Sequence, residues 1–114
     1  MSSQITFNLA QGAVRFNFSV AAAQSLKTAL GELMTQLKLV SASAGEGARR
    51  TPTPPVEYQH TGDVFLEVFC NPNIWPSPFA AKVLMTLRDD RLRITLETEL
   101  SQLYDDVNAF LEQA

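Results

Sequence analysis

Residues that build catalytic and metal centres are scarce in this chain. It contains one cysteine, Cys70, and one histidine, His60, among 114 residues. One cysteine cannot form an internal disulfide bond, and a cysteine and a histidine alone leave a tetrahedral zinc site two ligands short. The chain also lacks a glycine-rich phosphate loop and a Gly-x-Ser-x-Gly motif. We therefore predict no catalytic residue, no metal site and no cofactor.

Positive charge and long apolar runs are missing as well. The net charge of −3 disfavours nucleic acid as a partner, because domains that neutralise phosphates tend to be basic. No apolar run approaches the roughly 20 residues of a membrane-spanning helix, and the N-terminus lacks a basic segment followed by an apolar one. These absences predict a cytoplasmic protein with no membrane association.

Two pairs of adjacent aspartates are further candidates for metal binding or acid–base chemistry. Asp89 and Asp90 fit a hairpin turn. Asp105 and Asp106 fit the outer face of a helix near its start, where the helix dipole favours negative charge. No other ligand is spaced to complete a metal site beside either pair, so we interpret both pairs as structural.

The lone cysteine and histidine have structural interpretations too. Cys70 ends an apolar stretch with no basic residue close in sequence, which predicts a buried thiol of ordinary reactivity. His60 has no evident nucleophile or orienting group beside it, so we interpret it as a solvated loop histidine.

Enough apolar residues are present for one core. Hydrophobic residues make up 46% of the 114 positions, which predicts a single domain over residues 1–114. Residues 4–20 alternate between apolar and polar, which is typical of a β-hairpin with one buried face. Folding this segment about Gln11-Gly12 pairs six apolar side chains on one face: Leu9 with Val14, Phe7 with Phe16, and Ile5 with Phe18.

The apolar period then changes from two to 3.6 residues, which predicts an amphipathic helix to about residue 39 with Ser19 as its N-cap. Its apolar stripe consists of Ala23, Leu26, Leu30, Leu33 and Leu37. Residues 41–61 are rich in small residues and proline, so we predict a flexible loop there.

The second half of the chain repeats the order of strand pair and helix. Residues 64–70 predict a strand with two largely apolar faces, and the prolines of residues 71–78 predict an irregular connection. Residues 80–100 predict a hairpin folded about Asp89-Asp90, with Lys82 opposite Glu97. Its inward pairs are Leu87 with Leu92, Met85 with Ile94, and Val83 with Leu96, and the stripe of the final helix is Leu100, Leu103, Val107, Phe110 and Leu111.

The order is therefore ββα, loop, β, ββα. The simplest layered arrangement is an α+β fold in which a five-stranded, mainly antiparallel sheet carries both helices on one face.

A strand that is apolar on both faces needs a cover on each, so one side of residues 64–70 is the leading candidate for an interface. Aromatic side chains and a proline-rich loop are typical of interface hot spots. The predicted interaction surface consists of Phe65, Phe69, Ile74, Trp75, Phe79 and Leu84. For Trp75 a second interpretation, a plug at the edge of the core, has equal weight. The leading hypothesis is a non-enzymatic protein–protein interaction domain that forms a homodimer or binds another protein.

Two other functions remain open. The polar side chains Arg15, Asn17, Arg88 and Arg93, with Phe65 or Phe69 beside them, would suit single-stranded nucleic acid, which needs cations and stacking rings. An enzyme or carrier with a ligand pocket between helices and sheet is the third hypothesis.

Part of the chain resembles a group of short uncharacterised cyanobacterial proteins. The likeness lies in residues 70–76 (CNPNIWP), 81–83 (AKV) and 86–92 (TLRDDRL), within roughly the last 50 residues. The resemblance implies a cyanobacterial source and carries no mechanism. At the level of fold, ββα arrangements also resemble regulators that bind single-stranded nucleic acid, which is a weak guide to function.

Overall fold

The protein is described here by a computed structural model that covers residues 4–43 and 54–113. Two helices and six strands follow one another along these residues. In chain order they are β1 (Gln4–Leu9), β2 (Gly12–Asn17), α1 (Val20–Ser43), β3 (Val56–His60), β4 (Phe65–Cys70), β5 (Lys82–Arg88), β6 (Arg93–Glu99) and α2 (Leu100–Gln113).

The strands form two antiparallel sheets. One contains β1 and β2, and the other contains four strands in the order β3-β4-β5-β6. The α+β class and the strand pair before each helix are confirmed, whereas the single five-stranded sheet is wrong. The strand that the prediction lacked is β3, which lies within the predicted loop of residues 41–61. The end of α1 also lies within that range. Residues 44–53 of the predicted loop lie outside the described residues.

Both hairpins pair two residues away from the predicted register. Phe7 lies opposite Val14 rather than Phe16, and Met85 lies opposite Leu96 rather than Ile94. The centre of each turn differs by one residue from the predicted position, which displaces every pair by two. Because side chains alternate with a period of two, this shift leaves the residues of the paired strands on their predicted faces. The prediction for Leu92 was wrong, because this residue lies outside β6 and is 58% exposed instead of opposing Leu87.

The helix α1 begins as predicted. The Ser19 hydroxyl accepts a hydrogen bond from the Ala22 N–H at 3.0 Å, so Ser19 is the N-cap. The predicted stripe is buried throughout, and the helix continues to Ser43, four residues beyond the predicted end. The buried members are Ala23, Leu26, Leu30, Leu33 and Leu37.

One core joins the helices to the inner face of the four-stranded sheet. From β4 and β5 it receives the inward members of each alternation, Leu66, Val68, Cys70, Val83, Met85 and Leu87. The Tyr58 hydroxyl of β3 donates a hydrogen bond to the Ala22 carbonyl of α1 at 3.3 Å, and Phe18 contacts Phe110 of α2. Buried side chains fill the space between helices and sheet, which counts against the hypothesis of a ligand pocket there.

A buried carboxylate attaches the β1–β2 hairpin to α2. Asp106 accepts hydrogen bonds from the Asn8 N–H at 2.7 Å, the Asn8 Nδ2 at 2.9 Å and the Gln102 Nε2 at 2.9 Å. Its placement on an outer helix face was therefore wrong, since Asp106 is only 7% exposed. The carboxylate takes the place of a strand partner at Asn8, because the N–H of that residue points to α2 instead of a third strand.

We expect Asp106→Ala to destabilise the fold by about 1 to 3 kcal/mol, because it leaves a partly buried Asn8 N–H without its acceptor. The matched control is Asp105→Ala, the same change at the adjacent exposed position, with an expected effect within about 0.5 kcal/mol. Urea unfolding followed by circular dichroism measures both. Equal effects at the two positions would contradict the role of Asp106.

Candidate functional site

The four-stranded sheet has a second face that no described element covers. We call it the outer sheet face. It consists of the side chains that alternate with the core residues: Glu57, Gln59, Phe65, Glu67, Phe69, Lys82, Leu84, Thr86, Arg88, Arg93, Thr95, Glu97 and Glu99. All are exposed or half-buried except Thr86.

An apolar pair lies near one end of the outer sheet face. Phe69 and Leu84 are directly opposed on β4 and β5, and Leu84 keeps 46% of its surface exposed. Glu57 lies beyond Phe69 and Glu97 lies beyond Leu84 in the same cross-strand row. Lys82 forms an exposed ion pair with Glu97 at 3.9 Å, although its directly opposed residue is Glu99. The apolar pair is thus bordered by acidic side chains.

The other end of the outer sheet face is basic. Arg88 stacks on the Phe65 ring, with its guanidinium carbon 4.3 Å from the ring centroid, and Arg93 lies opposite Arg88 on β6. Phe65 is half-buried, so the arginine covers part of an otherwise exposed ring. This contact also uses the ring face that a nucleic-acid base would need for stacking.

Polar contacts occupy the row between the two ends. Gln59 Nε2 donates to the Glu67 carboxylate at 2.8 Å, and the hydroxyls of Thr86 and Thr95 are 3.4 Å apart. Glu67 is thereby held toward the β3 edge. The sequence prediction missed Glu57 and Gln59, because their strand was assigned to a loop. The alternation in V-E-Y-Q-H directly after the prolines was the signal that could have identified it.

The connection between β4 and β5 leaves the sheet at the acidic end. Ile74 is 65% exposed and Phe79 is 85% exposed. Trp75 is half-buried and packs against the core, in line with its interpretation as a plug. Two of the three predicted loop residues, Ile74 and Phe79, are therefore open to solvent in this connection.

The residues of the proposed nucleic-acid face are divided between the two sheets. Arg15 lies on β2 and donates through Nε to the Thr6 hydroxyl at 2.9 Å, and the Asn17 Oδ1 accepts from Gln4 Nε2 at 3.3 Å. Arg88 and Arg93 lie on the outer sheet face. Arg15 and Arg88 both line a shallow cavity of about 130 Å³, which is lined also by Val14, Phe16, Val64, Leu87, Asp89, Leu92 and Ile94.

The side chains that could take part in catalysis or metal binding are engaged in structural contacts. His60 is a half-buried strand residue whose ring packs edge to face on Phe18, with centroids 5.1 Å apart, so its interpretation as a solvated loop residue is wrong. Burial raises the pKa of Cys70 to about 11, although a hydrogen bond from Trp75 partly opposes this. The Asp89 carboxylate accepts the backbone N–H groups of Arg91 and Leu92, which lower its pKa. This contact confirms the predicted turn.

Within residues 4–43 and 54–113 no three ligating side chains come together to hold a metal ion. Over the same residues neither helix is long and apolar enough to span a membrane. No family model, curated protein or solved structure matches the chain. The resemblance to short cyanobacterial proteins therefore stays a prediction, and the outer sheet face must be interpreted from its own geometry.

The raised pKa of Cys70 predicts how stability depends on pH. The thiol of an unfolded chain ionises near its usual pKa of 9.0, whereas the folded thiol stays neutral until about 11. The unfolded state therefore loses its proton first, and stability falls as the pH rises from about 9 to 11. Tyr58, whose pKa is also raised by burial, adds to this loss at the upper end.

Thermal unfolding at a series of pH values between about 8 and 11 checks this dependence. In the Cys70→Ala variant the decline should begin at higher pH than in the parent protein. An unchanged profile in that variant would contradict the assignment to Cys70.

Proposed function

We propose that this protein is a non-enzymatic, cytoplasmic interaction module that forms a homodimer through its outer sheet face. The observation that carries the proposal is the apolar pair of exposed Leu84 and half-buried Phe69 on a sheet whose other face packs on the core. A sheet that is covered on one side exposes mostly polar side chains on the other. Apolar groups placed there favour association, because contact removes their surface from water.

The connection between β4 and β5, which leaves the sheet at the end where the pair lies, also supports the proposal. Ile74 and Phe79 add two large apolar side chains, of which Phe79 has 85% of its surface exposed. A patch of apolar side chains with a charged border matches the usual anatomy of an interface, in which a dehydrated centre is enclosed by a polar rim. Burial at about 25 cal/mol per Å² of apolar surface favours association, although the loss of translational and rotational freedom offsets much of this.

The proposal includes no enzymatic activity, because the side chains that are candidates for a nucleophile or a general base are engaged in structural contacts. The Cys70 thiol is buried with a raised pKa, and Asp106 is engaged by three hydrogen bonds. A nucleophile or general base needs an accessible atom and a matched pKa. Nucleic-acid binding has less support, since Arg15 and Arg93 lie on separate sheets and Phe65 is stacked by Arg88.

We expect Leu84→Asp to abolish or strongly weaken self-association, because it places a charge at the centre of the apolar patch. The matched control is Leu92→Asp. Leu92 is 58% exposed but lies at the β5–β6 turn and lines a cavity together with inward-facing residues of the sheet. Sedimentation velocity at concentrations from about 1 to 300 µM measures the dimer fraction across the range expected for a small interface.

The control Leu92→Asp should dimerise like the parent protein. The proposal fails if the parent is a monomer throughout this range, or if Leu84→Asp dimerises as well as Leu92→Asp. A second experiment measures the binding of a labelled single-stranded oligonucleotide to the protein at low salt. Binding that is lost in an Arg15→Ala, Arg93→Ala variant, together with a monomeric parent, would favour the nucleic-acid function instead.

A further inference from the structure

We propose that the free edge of β2 binds an extended segment of another protein, which joins the β1–β2 sheet as a third, antiparallel strand. The segment has an acidic residue opposite Arg15 and a large apolar residue on either side of it. This site lies on a different sheet from the homodimer surface and does not depend on that surface. In such strand addition the main-chain hydrogen bonds give affinity and pockets for alternate side chains give specificity.

The hydrogen bonds of the first hairpin identify the backbone groups that β2 directs away from β1. The Asn8 N–H donates to Asp106 and therefore does not bond to Ala13, the residue opposite it on β2. Pairs without mutual hydrogen bonds alternate with bonded pairs along an antiparallel ladder. Every second residue of β2 thus points its N–H and C=O outward, and these residues are Ala13, Arg15 and Asn17.

The outward backbone groups of β2 have no partner in the part of the chain that the structure describes. β2 pairs with β1 alone, and no hydrogen bond of the described residues involves the N–H or C=O of these three positions. Ala13, Arg15 and Asn17 are all exposed. Their alternating donors and acceptors form an open template for a further strand.

A cavity beside this edge can receive a side chain of the added strand. It has a volume of about 130 Å³ and is lined by Val14, Arg15 and Phe16 of β2 but by no residue of β1. Val14 and Phe16 point to the opposite side of the strand from Arg15, so the cavity meets β2 at its free edge. Its remaining walls are mainly apolar and include Leu92, which is 58% exposed. Since a cavity of about 150 Å³ holds benzene, this one suits one large apolar side chain.

Arg15 determines the charge of the residue that lies opposite it. Its side chain lies on the solvent side of the hairpin, where Nε donates to the Thr6 hydroxyl at 2.9 Å. No carboxylate of the described residues forms an ion pair with its guanidinium. The other N–H groups of the guanidinium can therefore bind a carboxylate on the added strand, directly across from Arg15.

The alternation of the added strand completes the description of the partner. The residue opposite Arg15 lies on the solvent side, whereas its two neighbours point toward the cavity. The fitting pattern is therefore apolar, acidic, apolar. In this chain the pattern occurs at 56–58 and 66–68, where the apolar members pack on the core of their own copy. A second copy therefore cannot supply the segment from these strands, and the partner is a different protein.

Binding of a labelled peptide tests the charge preference. The probe is a capped, fluorescein-labelled peptide of sequence SKTLELTKS, and fluorescence anisotropy with the protein at about 1 to 1,000 µM measures its affinity. We expect Arg15→Glu to weaken binding about five-fold, because it places two carboxylates opposite each other. Lys27→Glu makes the same charge change on the exposed side of α1 and should leave the affinity unchanged. The peptide SKTLKLTKS should bind Arg15→Glu more tightly than Lys27→Glu.

N-methylation of the peptide tests the strand pairing without any change to the protein. In the proposed pairing the N–H of the peptide glutamate donates to the Arg15 C=O, whereas the N–H of the next leucine points away from β2. A methyl group on the glutamate nitrogen should weaken binding at least about ten-fold, because it removes that hydrogen bond and separates the two backbones. The same group on the leucine nitrogen should change the affinity by less than about three-fold.

Two further variants separate this site from the homodimer surface. Leu92→Asp places a charge in the wall of the cavity and should weaken peptide binding about ten-fold while dimerisation is unchanged. Leu84→Asp should leave peptide binding unchanged and affect only dimerisation. Circular dichroism confirms that each variant is folded.

The outcomes distinguish the two proposals. The strand-addition site is wrong if the parent protein does not bind the peptide, or if the two N-methylated peptides bind equally well. It is also wrong if saturation with the peptide dissociates a parent dimer, because the edge would then belong to a second copy. A monomeric parent that prefers the peptide methylated on leucine would remove the homodimer and support the site on β2.

Discussion

The structure depends on the alternation of side chains along β4 and β5. Their inward members are almost completely buried against the helices, with Leu66, Val83 and Met85 at 0% exposure. A pleated strand cannot turn these residues inward without turning the intervening ones outward. The alternation that buries the core residues therefore also places Phe65, Phe69 and Leu84 on the outer sheet face. The apolar patch is a consequence of a strand that is apolar on both faces in a sheet that is covered on one.

Asp106 occupies part of the backbone edge through which the β1–β2 hairpin could pair with another strand. The β1–β2 hairpin presents a free backbone edge at Asn8, which could have joined another strand. The carboxylate of α2 accepts that N–H and the Asn8 amide instead, so the edge is satisfied by a helix. The hairpin then contributes Ile5 and Phe7 to the common core while the four-stranded sheet keeps its outer face uncovered.

Groups that could perform chemistry are used for packing in the part of the chain that the structure describes. Burial keeps the Cys70 thiol neutral over a wide pH range, His60 packs on Phe18, and Asp89 organises a turn. What remains accessible is a surface with an apolar pair, exposed loop side chains and charge of opposite sign at its two ends.

The sequence by itself determined the local structure: the two hairpins, the buried stripe of each helix, the Ser19 cap and the face on which each strand residue lies. These features depend on periods of two and 3.6 residues and on hydrogen bonds between near neighbours, so they can be derived from spacing alone. Only the tertiary structure decided that β3 joins the sheet, that the first hairpin packs on α2, and that Asp106 points inward. Each depends on contacts between residues far apart in the chain, such as Asn8 and Asp106, for which spacing carries no signal. The outer sheet face depends on both, because the alternation of side chains determines which residues lie on it and the position of the helices leaves it uncovered.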